Sequence, residues 1–422
     1  MSLRCLRFLS AGESHGPMLV GLLEGLPAGI PIDREAINAD LRRRMGGHGR
    51  GKRMKIEADA ARIVGGVRLG ETLGSPIAWL IENRDWVNWQ EVMGADAPVE
   101  AGTSPDEADA TSGSPAVAES GNRPSAVDIR RITRPRPGHA DLAGGLKYDR
   151  DDLRDVLERA SARETAVRVA AGSLCKQFLS HLGIEVASHV TRIGDAAFEL
   201  GADPTPVAAV RERADASPVR CADPEVEAAM IAAIDRAHDE LETLGGAFEV
   251  IGTGLPPGLG SHIQWDRRLE ARLGQALLSI QAQKAVEIGP AIWCAAQPGS
   301  QSHDAIIREP DSPWGRPTNL AGGTEGGITY GGELRVTVYM KPLSTLRQPL
   351  PSVDIVSGDA VDAVVQRSDT CAVPAAAVVG EAMTALVLAD ACIEKFGGDS
   401  LRETLRNFRG YMEQVGGFPS AD

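Results

Sequence analysis

The 422-residue sequence predicts an α+β fold in which antiparallel sheets pack on central helices. Its strand patterns come in groups separated by long helix patterns, without the regular strand–helix alternation of a parallel sheet. The segment 374–396 is apolar on nearly every side, which is typical of a helix buried between sheets or in an oligomer core. The 43% hydrophobic content is compatible with one large domain or two ordinary ones.

The individual elements follow from periodicity and from capping residues. A helix is predicted over 163–182, with Ser161 as its N-cap and Gly183 beyond its end. Asp223 directly before Pro224 predicts the start of a second helix that runs to about residue 241. Strands are predicted over 64–69, 76–81, 247–253 and 333–340.

The composition excludes several classes of function. The net charge of −14 and the 4% aromatic content argue against a nucleic-acid-binding protein. Six cysteines without a CxxC pair argue against a zinc site or a disulfide framework, so no metal is expected. We also expect no transmembrane helix and no secretory signal, and therefore a cytoplasmic protein.

A glycine-rich loop near the start of the chain carries an acid, a hydroxyl and an imidazole. It reads Gly12-Glu13-Ser14-His15-Gly16 and follows an apolar stretch. Its glycines let backbone N–H groups approach a ligand, and histidine is the side chain that titrates closest to neutral pH. The loop could instead be an ordinary turn with a satisfied histidine.

A second loop of the same kind favours the functional interpretation. It reads Arg134-Pro135-Arg136-Pro137-Gly138-His139-Ala140-Asp141. Two loop histidines, one of them beside arginines, indicate a site for a phosphorylated substrate that needs acid chemistry.

The positive charge of this acidic chain is concentrated in two short segments. They contain Arg42, Arg43, Arg44, Arg50, Lys52 and Arg53, and then Arg130, Arg131, Arg134 and Arg136. Such clusters can focus positive potential on one anionic site, although most charge runs form a solvated face. The glycines of 46–51 disfavour a helix there and favour a ligand-closing loop. The segment 93–128 has almost no large apolar residue, and we interpret it as an exposed insertion.

Four further segments carry candidate ligand-binding groups. A helix start over 159–165 would offer free N–H groups to an anion, or be an ordinary capped helix. Six glycines within 322–332 indicate backbone pressed against a ligand, and Lys341 with Ser344 and Thr345 could grip a phosphate. Asp369 could be a proton acceptor in a partly buried position, or half of a buried ion pair with Arg367.

Together and in this order, these segments resemble the chorismate synthase family. The matching segments span nearly the whole chain: 12–16, 43–53, 136–141, 159–165, 280–282, 322–327, 341–345 and 367–369. The resemblance implies one domain over 1–422, folded as a β-α-β sandwich with central helices between antiparallel sheets, in a homotetramer. It implies anti-1,4-elimination of phosphate from 5-enolpyruvylshikimate 3-phosphate to give chorismate, the last step of the shikimate pathway. The reaction needs reduced FMN without net redox change.

The resemblance also implies roles for individual residues. His15 would protonate the departing phosphate, His139 would manage the protonation of the flavin, and Asp369 would relay a proton at the flavin. The substrate anions would be held by one serine and five arginines: Ser14, Arg44, Arg50, Arg53, Arg136 and Arg163. The flavin would be held by Arg159, Ala160, Ser161, Gln281, Ala282, Gly326, Lys341, Pro342, Leu343, Ser344, Thr345 and Arg367. Arg44 and Arg50 also match positions associated with NADPH as flavin reductant.

One residue departs from the family pattern, and two other functions stay open. Tyr330 stands where family members commonly carry asparagine, beside the flavin loop. The alternatives are a non-catalytic flavin- or phosphate-binding paralogue and an NADPH-dependent flavin reductase. The first would have no use for two histidines and an aspartate, and the second lacks a Rossmann GxGxxG motif.

Overall fold

Two antiparallel sheets enclose a layer of central helices in the computed structural model. The structure describes residues 3–51, 58–96, 131–198, 207–308, 314–366 and 368–418. The predicted insertion therefore lies outside the described residues apart from 93–96, as do Arg53 and Arg367.

The strands fall into two main sheets and three short hairpins. The first sheet has the order β1-β2-β6-β3 and the second β10-β13-β9-β7-β8, and all neighbours are antiparallel. The strands are β1 Arg7–Ala11, β2 Met18–Glu24, β3 Arg62–Gly65, β4 Val67–Arg68, β5 Glu71–Thr72, β6 Ile77–Glu82, β7 Glu185–Ile193, β8 Ala196–Ala197, β9 Gly246–Thr253, β10 Gln283–Ile288, β11 Thr324–Glu325, β12 Ile328–Thr329, β13 Leu334–Met340, β14 Pro351–Val353 and β15 Ala360–Asp362.

Three of the described helices form the middle layer: α1 (Arg34–Met45), α5 (Thr165–Ser180) and α11 (Val373–Phe396). The helices are α1 Arg34–Met45, α2 Gln90–Met93, α3 Asp141–Tyr148, α4 Arg154–Ala160, α5 Thr165–Ser180, α6 Val207–Ala216, α7 Pro224–Asp239, α8 Leu269–Leu278, α9 Ala291–Ala295, α10 Gly299–Ser302, α11 Val373–Phe396 and α12 Leu401–Gly416. Short 3₁₀ turns cover Trp86–Asn88, Ala162–Glu164 and Trp265–Arg267.

Three glycines show how closely these layers approach one another. A Cβ on Gly21 of β2 would lie 2.5 Å from Val167 of α5, and one on Gly172 of α5 would lie 2.4 Å from Ala382 of α11. A Cβ on Gly380 of α11 would lie 2.3 Å from Phe248 of β9. Each contact is closer than a side chain allows, so these glycines permit the stacking of sheet, helices and sheet. The predicted α+β sandwich is confirmed.

Most predicted elements are confirmed, with differences at their ends. Ser161 accepts a hydrogen bond from Arg163 N–H at 3.3 Å, but it caps the 3₁₀ turn, and α5 itself starts at Thr165. Arg159 and Ala160 belong to the preceding helix α4 rather than to the start of α5. The strand predicted over 64–69 is split by Gly66, whose φ of +82° lies in the left-handed region.

The basic segment differs more from its interpretation as a loop. Arg42, Arg43 and Arg44 form the last turn of α1, which Asp33 caps by accepting from the N–H of Glu35. Cations in the last turn of a helix are favoured by the negative end of its dipole. Of the described residues after this helix, 46–51 are irregular.

The helix α11 is long and apolar enough to span a membrane by length and composition. It is the segment that the sequence analysis predicts to be an apolar, buried helix. However, 94% of its apolar window is buried inside the protein, between α5 and the second sheet. It is a core helix in this fold.

Candidate active site

The loop that carries His15 connects β1 to β2 and is clamped from two sides. Asn83, directly after β6, donates from its side-chain amide to the carbonyls of Ser14 and Gly16 at 3.2 and 2.9 Å. The Ser14 N–H donates to the carbonyl of Glu158 in α4 at 3.0 Å. These bonds hold the loop between the first sheet and α4.

The imidazole of His15 rests on a buried carboxylate. Its Nδ1 lies 2.8 and 3.0 Å from the two carboxylate oxygens of Glu158, and its backbone N–H donates to Oε2 at 2.9 Å. The ring of Trp89 lies on the imidazole, with centroids 4.0 Å apart. Burial raises the pKa of Glu158, but hydrogen bonds and charge from His15 and the charge of Arg154 lower it below its ordinary value. Glu158 is therefore ionised at neutral pH.

The second histidine has a similar partner. His139 Nδ1 lies 2.5 Å from Asp141. Asp141 also accepts two hydrogen bonds from Arg136, from its side-chain Nε–H at 2.8 Å and from its backbone N–H at 3.1 Å. Burial raises the pKa of Asp141, but the hydrogen bonds and charges of His139 and Arg136 lower it well below its ordinary value. Arg136 also donates to the hydroxyl of Thr345 at 2.7 Å. The predicted second loop is thus joined to the predicted phosphate grip.

Arg44 and Arg163 share one carboxylate that the sequence analysis missed. Asp59 lies 2.5 Å from Arg163 Nη1 and 3.4 Å from Arg44 Nη1, and all three side chains are at most 4% exposed. Arg44 also donates to Thr165 Oγ1 and to the carbonyl of Ala162. Two arginines predicted to bind anions are therefore side by side, fixed by the protein itself.

The glycine-rich segment after α1 is fastened to the predicted proton acceptor. Arg50 forms an ion pair with Asp369 at 2.6 Å, and the Gly51 N–H donates to the same carboxylate at 2.6 Å. The Thr370 N–H donates to the carbonyl of Gly49 at 2.9 Å. Asp369 thus does form an ion pair, with Arg50, whereas Arg367 lies outside the described residues.

The predicted flavin residues near α4 and α5 form a connected group. Arg159 donates to the carbonyls of Gly12 and Ser10, and the Ser10 hydroxyl donates to Glu164 at 2.8 Å. Glu164 also accepts from the side-chain amide of Gln281 at 3.4 Å. Burial raises the pKa of Glu164, but the charge of Arg168 and these bonds lower it.

Ala282, the residue after Gln281, joins this group to the lysine segment by a hydrogen bond. Ala282 adopts a φ of +66°, which is strained for a residue with a side chain, and its carbonyl accepts from the Lys341 N–H at 3.0 Å. The Lys341 ammonium donates to the carbonyl of Gly138 at 2.5 Å. Leu343 accepts from the Thr243 hydroxyl, while Pro342 and Ser344 lie in the same turn. One hydrogen-bonded path therefore connects both histidine loops through Glu164, Gln281 and Lys341.

Gly326 is placed apart from this group. It lies in the tight turn between β11 and β12 with a φ of +61°. The loop before this turn bonds to the start of β13, where the Arg335 N–H donates to the carbonyl of Gly322, whereas Lys341 follows the end of β13. The seven extended residues of β13 span about 20 Å, so the loop and Lys341 lie at opposite ends of this strand. Among the described contacts, none joins Gly326 to the other predicted flavin residues, and its role stays a prediction.

Tyr330 lies near this turn and is well fixed. Its hydroxyl donates to Asn319 Oδ1 at 2.6 Å, and the guanidinium of Arg316 lies 4.2 Å from its ring centroid. Burial and the nearby Asp304 charge raise the pKa of Tyr330 to about 12, so it stays protonated at neutral pH. No described contact joins it to either histidine.

Sequence reasoning missed the buried acids that orient the site. Glu158 is 143 positions from His15, and Asp59 is 104 positions from Arg163, although only 15 from Arg44. The one signal in the sequence is that Glu158 directly precedes the segment 159–165, which was already a candidate for ligand binding. Within the described ranges, no group of three or more His, Cys, Asp or Glu side chains is arranged to hold a metal.

The chain is similar to known proteins over nearly its whole length. A family model described as chorismate synthase matches residues 6–393. The chorismate synthase of Symbiobacterium thermophilum is 55% identical over 412 residues, which cover 97% of this chain and 99% of the relative. That of Aquifex aeolicus is 50% identical over 424 residues, covering 99% and 100%. A crystal structure of a chorismate synthase has a TM-score of 0.75 and 42% identity, covering 99% of this chain and 100% of the other.

Proposed function

The chain belongs to the chorismate synthase family, and we propose that His15, His139, Asp369 and the buried arginines carry out the family reaction in it. The enzyme is a carbon–oxygen lyase acting on phosphates, which converts 5-enolpyruvylshikimate 3-phosphate to chorismate by anti-1,4-elimination and depends on a flavin. This is the last step of the shikimate pathway. The comparisons do not favour a non-catalytic paralogue or a flavin reductase.

The pairing of His15 with Glu158 is the observation that carries the proposed residue roles. When the bond from the substrate ring carbon to the phosphate oxygen breaks, the phosphate leaves with the electron pair and gains negative charge. A proton delivered to that oxygen lowers the barrier, typically by a factor of about 10²–10⁴ in rate. His15 is 18% exposed with Nδ1 on Glu158, so its Nε2 is the nitrogen suited to deliver the proton.

The buried arginines supply the matching positive charge. The substrate carries a phosphate and two carboxylates, and guanidinium groups bind such anions through paired hydrogen bonds. Arg44 and Arg163 are preorganised side by side by Asp59, and Arg136 by Asp141. We assign the substrate anions to these three, with Ser14, Arg50 and Arg53 completing the set.

The residues of the proposed cofactor site fit a flavin mononucleotide. Lys341, Ser344 and Thr345 supply an ammonium and two hydroxyls for a phosphate, and Gln281 Oε1 is buried without a hydrogen-bond partner among the described residues. A buried acceptor of this kind suits a ring N–H donor. Arg159, Ala160, Ser161, Ala282, Pro342 and Leu343 would line the same site, with Gly326 and Arg367 assigned by resemblance alone.

The cofactor we propose is reduced FMN. When bound, it would supply electron density to an electron-poor transition state in a reaction without net redox change. His139 and Asp369 would move protons at its edge, and their contacts differ from those of His15. His139 faces both Asp141 and the Arg136 guanidinium, and Asp369 faces Arg50. NADPH as reductant would contact Arg44 and Arg50.

The experiment that tests these assignments is an anaerobic reaction with 5-enolpyruvylshikimate 3-phosphate and chemically reduced FMN. Chorismate absorbance and inorganic phosphate are followed together, and equal amounts are expected, with neither formed with oxidised FMN. The His15→Asn variant should bind the substrate with similar affinity and form both products far more slowly. Wild-type turnover with oxidised FMN would contradict the proposed cofactor, and a fully active His15→Asn variant would contradict the proposed acid.

The assembly and location proposed for the enzyme are a homotetramer in the cytoplasm, acting without nucleic acid or membrane. The tetramer is what the resemblance to the family implies. Sedimentation velocity should give four times the 44.5 kDa chain mass. A monomer at micromolar concentration would contradict the proposed assembly.

A further inference from the structure

Both site histidines have the same construction around Nδ1. His15 Nδ1 lies 2.8 Å from Glu158, and His139 Nδ1 lies 2.5 Å from Asp141. Both carboxylate side chains are completely buried, and each also accepts from an arginine. Completely buried carboxylates are rare without a partner, because removing a charge from water is costly. Each of these acids therefore depends on its histidine and arginine.

We propose that Glu158 is a positioning residue that fixes the neutral imidazole of His15 as the tautomer with its proton on Nδ1, so that proton exchange with the substrate takes place at Nε2. The catalytic part of this inference rests on the proposed role of His15 as the acid. The tautomer itself does not depend on that role.

The hydrogen-bonding capacity of Glu158 requires this tautomer. An ionised carboxylate only accepts hydrogen bonds, so the nitrogen that faces it must carry a proton. Both carboxylate oxygens lie within 3.0 Å of His15 Nδ1. Oε2 also accepts the His15 backbone N–H at 2.9 Å, and Oε1 accepts from Arg154 Nη1 at 3.1 Å. The acid is thus held in place from two directions.

The surroundings of His15 also restrict rotation of its ring. Trp89 covers one face, with its own Nε1–H donating to Asp85 at 3.0 Å, and the guanidinium of Arg154 lies 5.2 Å from the Trp89 ring centroid. Among the described residues, the contacts place Glu158 and Arg154 of α4 and Asp85 behind Trp89 as the charged groups around the ring. A ring flip would put a C–H group against the buried carboxylate, which costs the hydrogen bond without replacing it.

The tautomer can be measured directly by ¹⁵N NMR of selectively labelled histidine in the full-length protein. The His15 signals are identified by their loss in the His15→Gln variant, among eight histidines. At a pH where the ring is neutral, we expect the proton on Nδ1. A wild-type His15 with its proton on Nε2 would overturn the inference, even if the Glu158→Gln variant failed to fold.

Two variants act as reciprocal controls. Glu158→Gln replaces the obligatory acceptor with an amide that can also donate, so the Nε2–H tautomer of His15 should gain population while His139 is unchanged. Asp141→Asn should alter only His139. If Glu158→Gln left the His15 tautomer unchanged, the proposed positioning would be wrong.

Kinetics then separate this inference from the proposed function. In Glu158→Gln we expect kcat to fall at least 10-fold, with KM within about 3-fold, by analogy with the tautomer-fixing acid of serine proteases. A changed tautomer with unchanged kcat would overturn the assignment of His15 as the acid, while a changed tautomer with a reduced kcat supports both.

Discussion

Replacing Asp59 by asparagine should destabilise the enzyme much more than replacing an aspartate at its surface. Asp59 is the common partner of Arg44 and Arg163, and the side chains are 1%, 4% and 4% exposed. The asparagine keeps the size of the side chain but removes the charge, which leaves two buried guanidinium groups facing a neutral amide.

The expected magnitude follows from this burial. Breaking a buried ion pair by removing one partner costs about 3–5 kcal/mol, because the remaining charge is left without compensation. Asparagine still accepts one hydrogen bond, so we expect about 3 kcal/mol. The matched control is Asp151→Asn. The Asp151 side chain is 83% exposed, and its ion pair with Arg131 should contribute less than about 1 kcal/mol to stability.

The assay is urea denaturation followed by tryptophan fluorescence, with both variants and the wild type under the same conditions. The reasoning is refuted if Asp59→Asn lowers the free energy of unfolding no more than Asp151→Asn does. A second test uses inorganic phosphate, which should stabilise Asp59→Asn more than wild type, because an added anion can replace the lost carboxylate between the two arginines. Equal stabilisation of both would show that these arginines are not accessible to an anion.

Three further predictions concern the site. His15→Ala should lower kcat by about 10²–10⁴-fold with little change in KM in a steady-state assay, because its contribution is made in the transition state; an unchanged kcat with a raised KM would contradict this. Lys341→Ala should weaken FMN binding by roughly 10-fold or more in a fluorescence titration. The control is Lys284→Ala, at an exposed lysine, which should leave the affinity for FMN unchanged. Equal affinities of the two variants would remove Lys341 from the proposed site. Because the pKa of Asp141 is lower in the folded than in the unfolded protein, the ionised carboxylate stabilises the fold at neutral pH, and this contribution is lost as pH falls below about 4. The free energy of unfolding of Asp141→Asn should therefore fall less steeply with acidification than that of wild type.

The sequence was sufficient for the elements whose signals are local. The cap at Asp223, the alternation of β13 and the apolar α11 all lie where periodicity and capping predict them, whereas Ser161 caps the short 3₁₀ turn before α5. Both histidine loops were found from glycine and histidine within a few residues. These features depend on neighbours in the chain, which a single sequence shows directly.

The partners of the site residues could not be predicted in this way. Glu158 meets His15 across 143 positions, and Asp59 meets Arg163 across 104. Such pairs are created by the stacking of sheet and helices, and nothing in the spacing of charges along the chain encodes them. The pairing of Asp369 with Arg50 rather than with a neighbour in sequence is another contact of this kind.

The end of α1 shows how one local pattern serves three different purposes. Successive residues of an α-helix point about 100° apart, so Arg42, Arg43 and Arg44 face three environments. Arg42 is 56% exposed and pairs with Glu35 at the surface. Arg43 donates twice at 2.9 Å to the completely buried Glu381 of α11, where burial raises the pKa of the acid but the Arg43 and Lys176 charges hold it well below its ordinary value.

Arg44, the next residue, is 4% exposed and lies with Arg163 and Asp59 in the site. Because Arg43 ties the last turn of α1 to the core helix, the position of Arg44 is fixed by an ion pair outside the proposed anion-binding set. Of this charge run, 42–44 are therefore helical, and only Arg42 of these three lies on a solvated face. The end of α1 is the point at which the central helix layer sets the position of an anion-binding arginine.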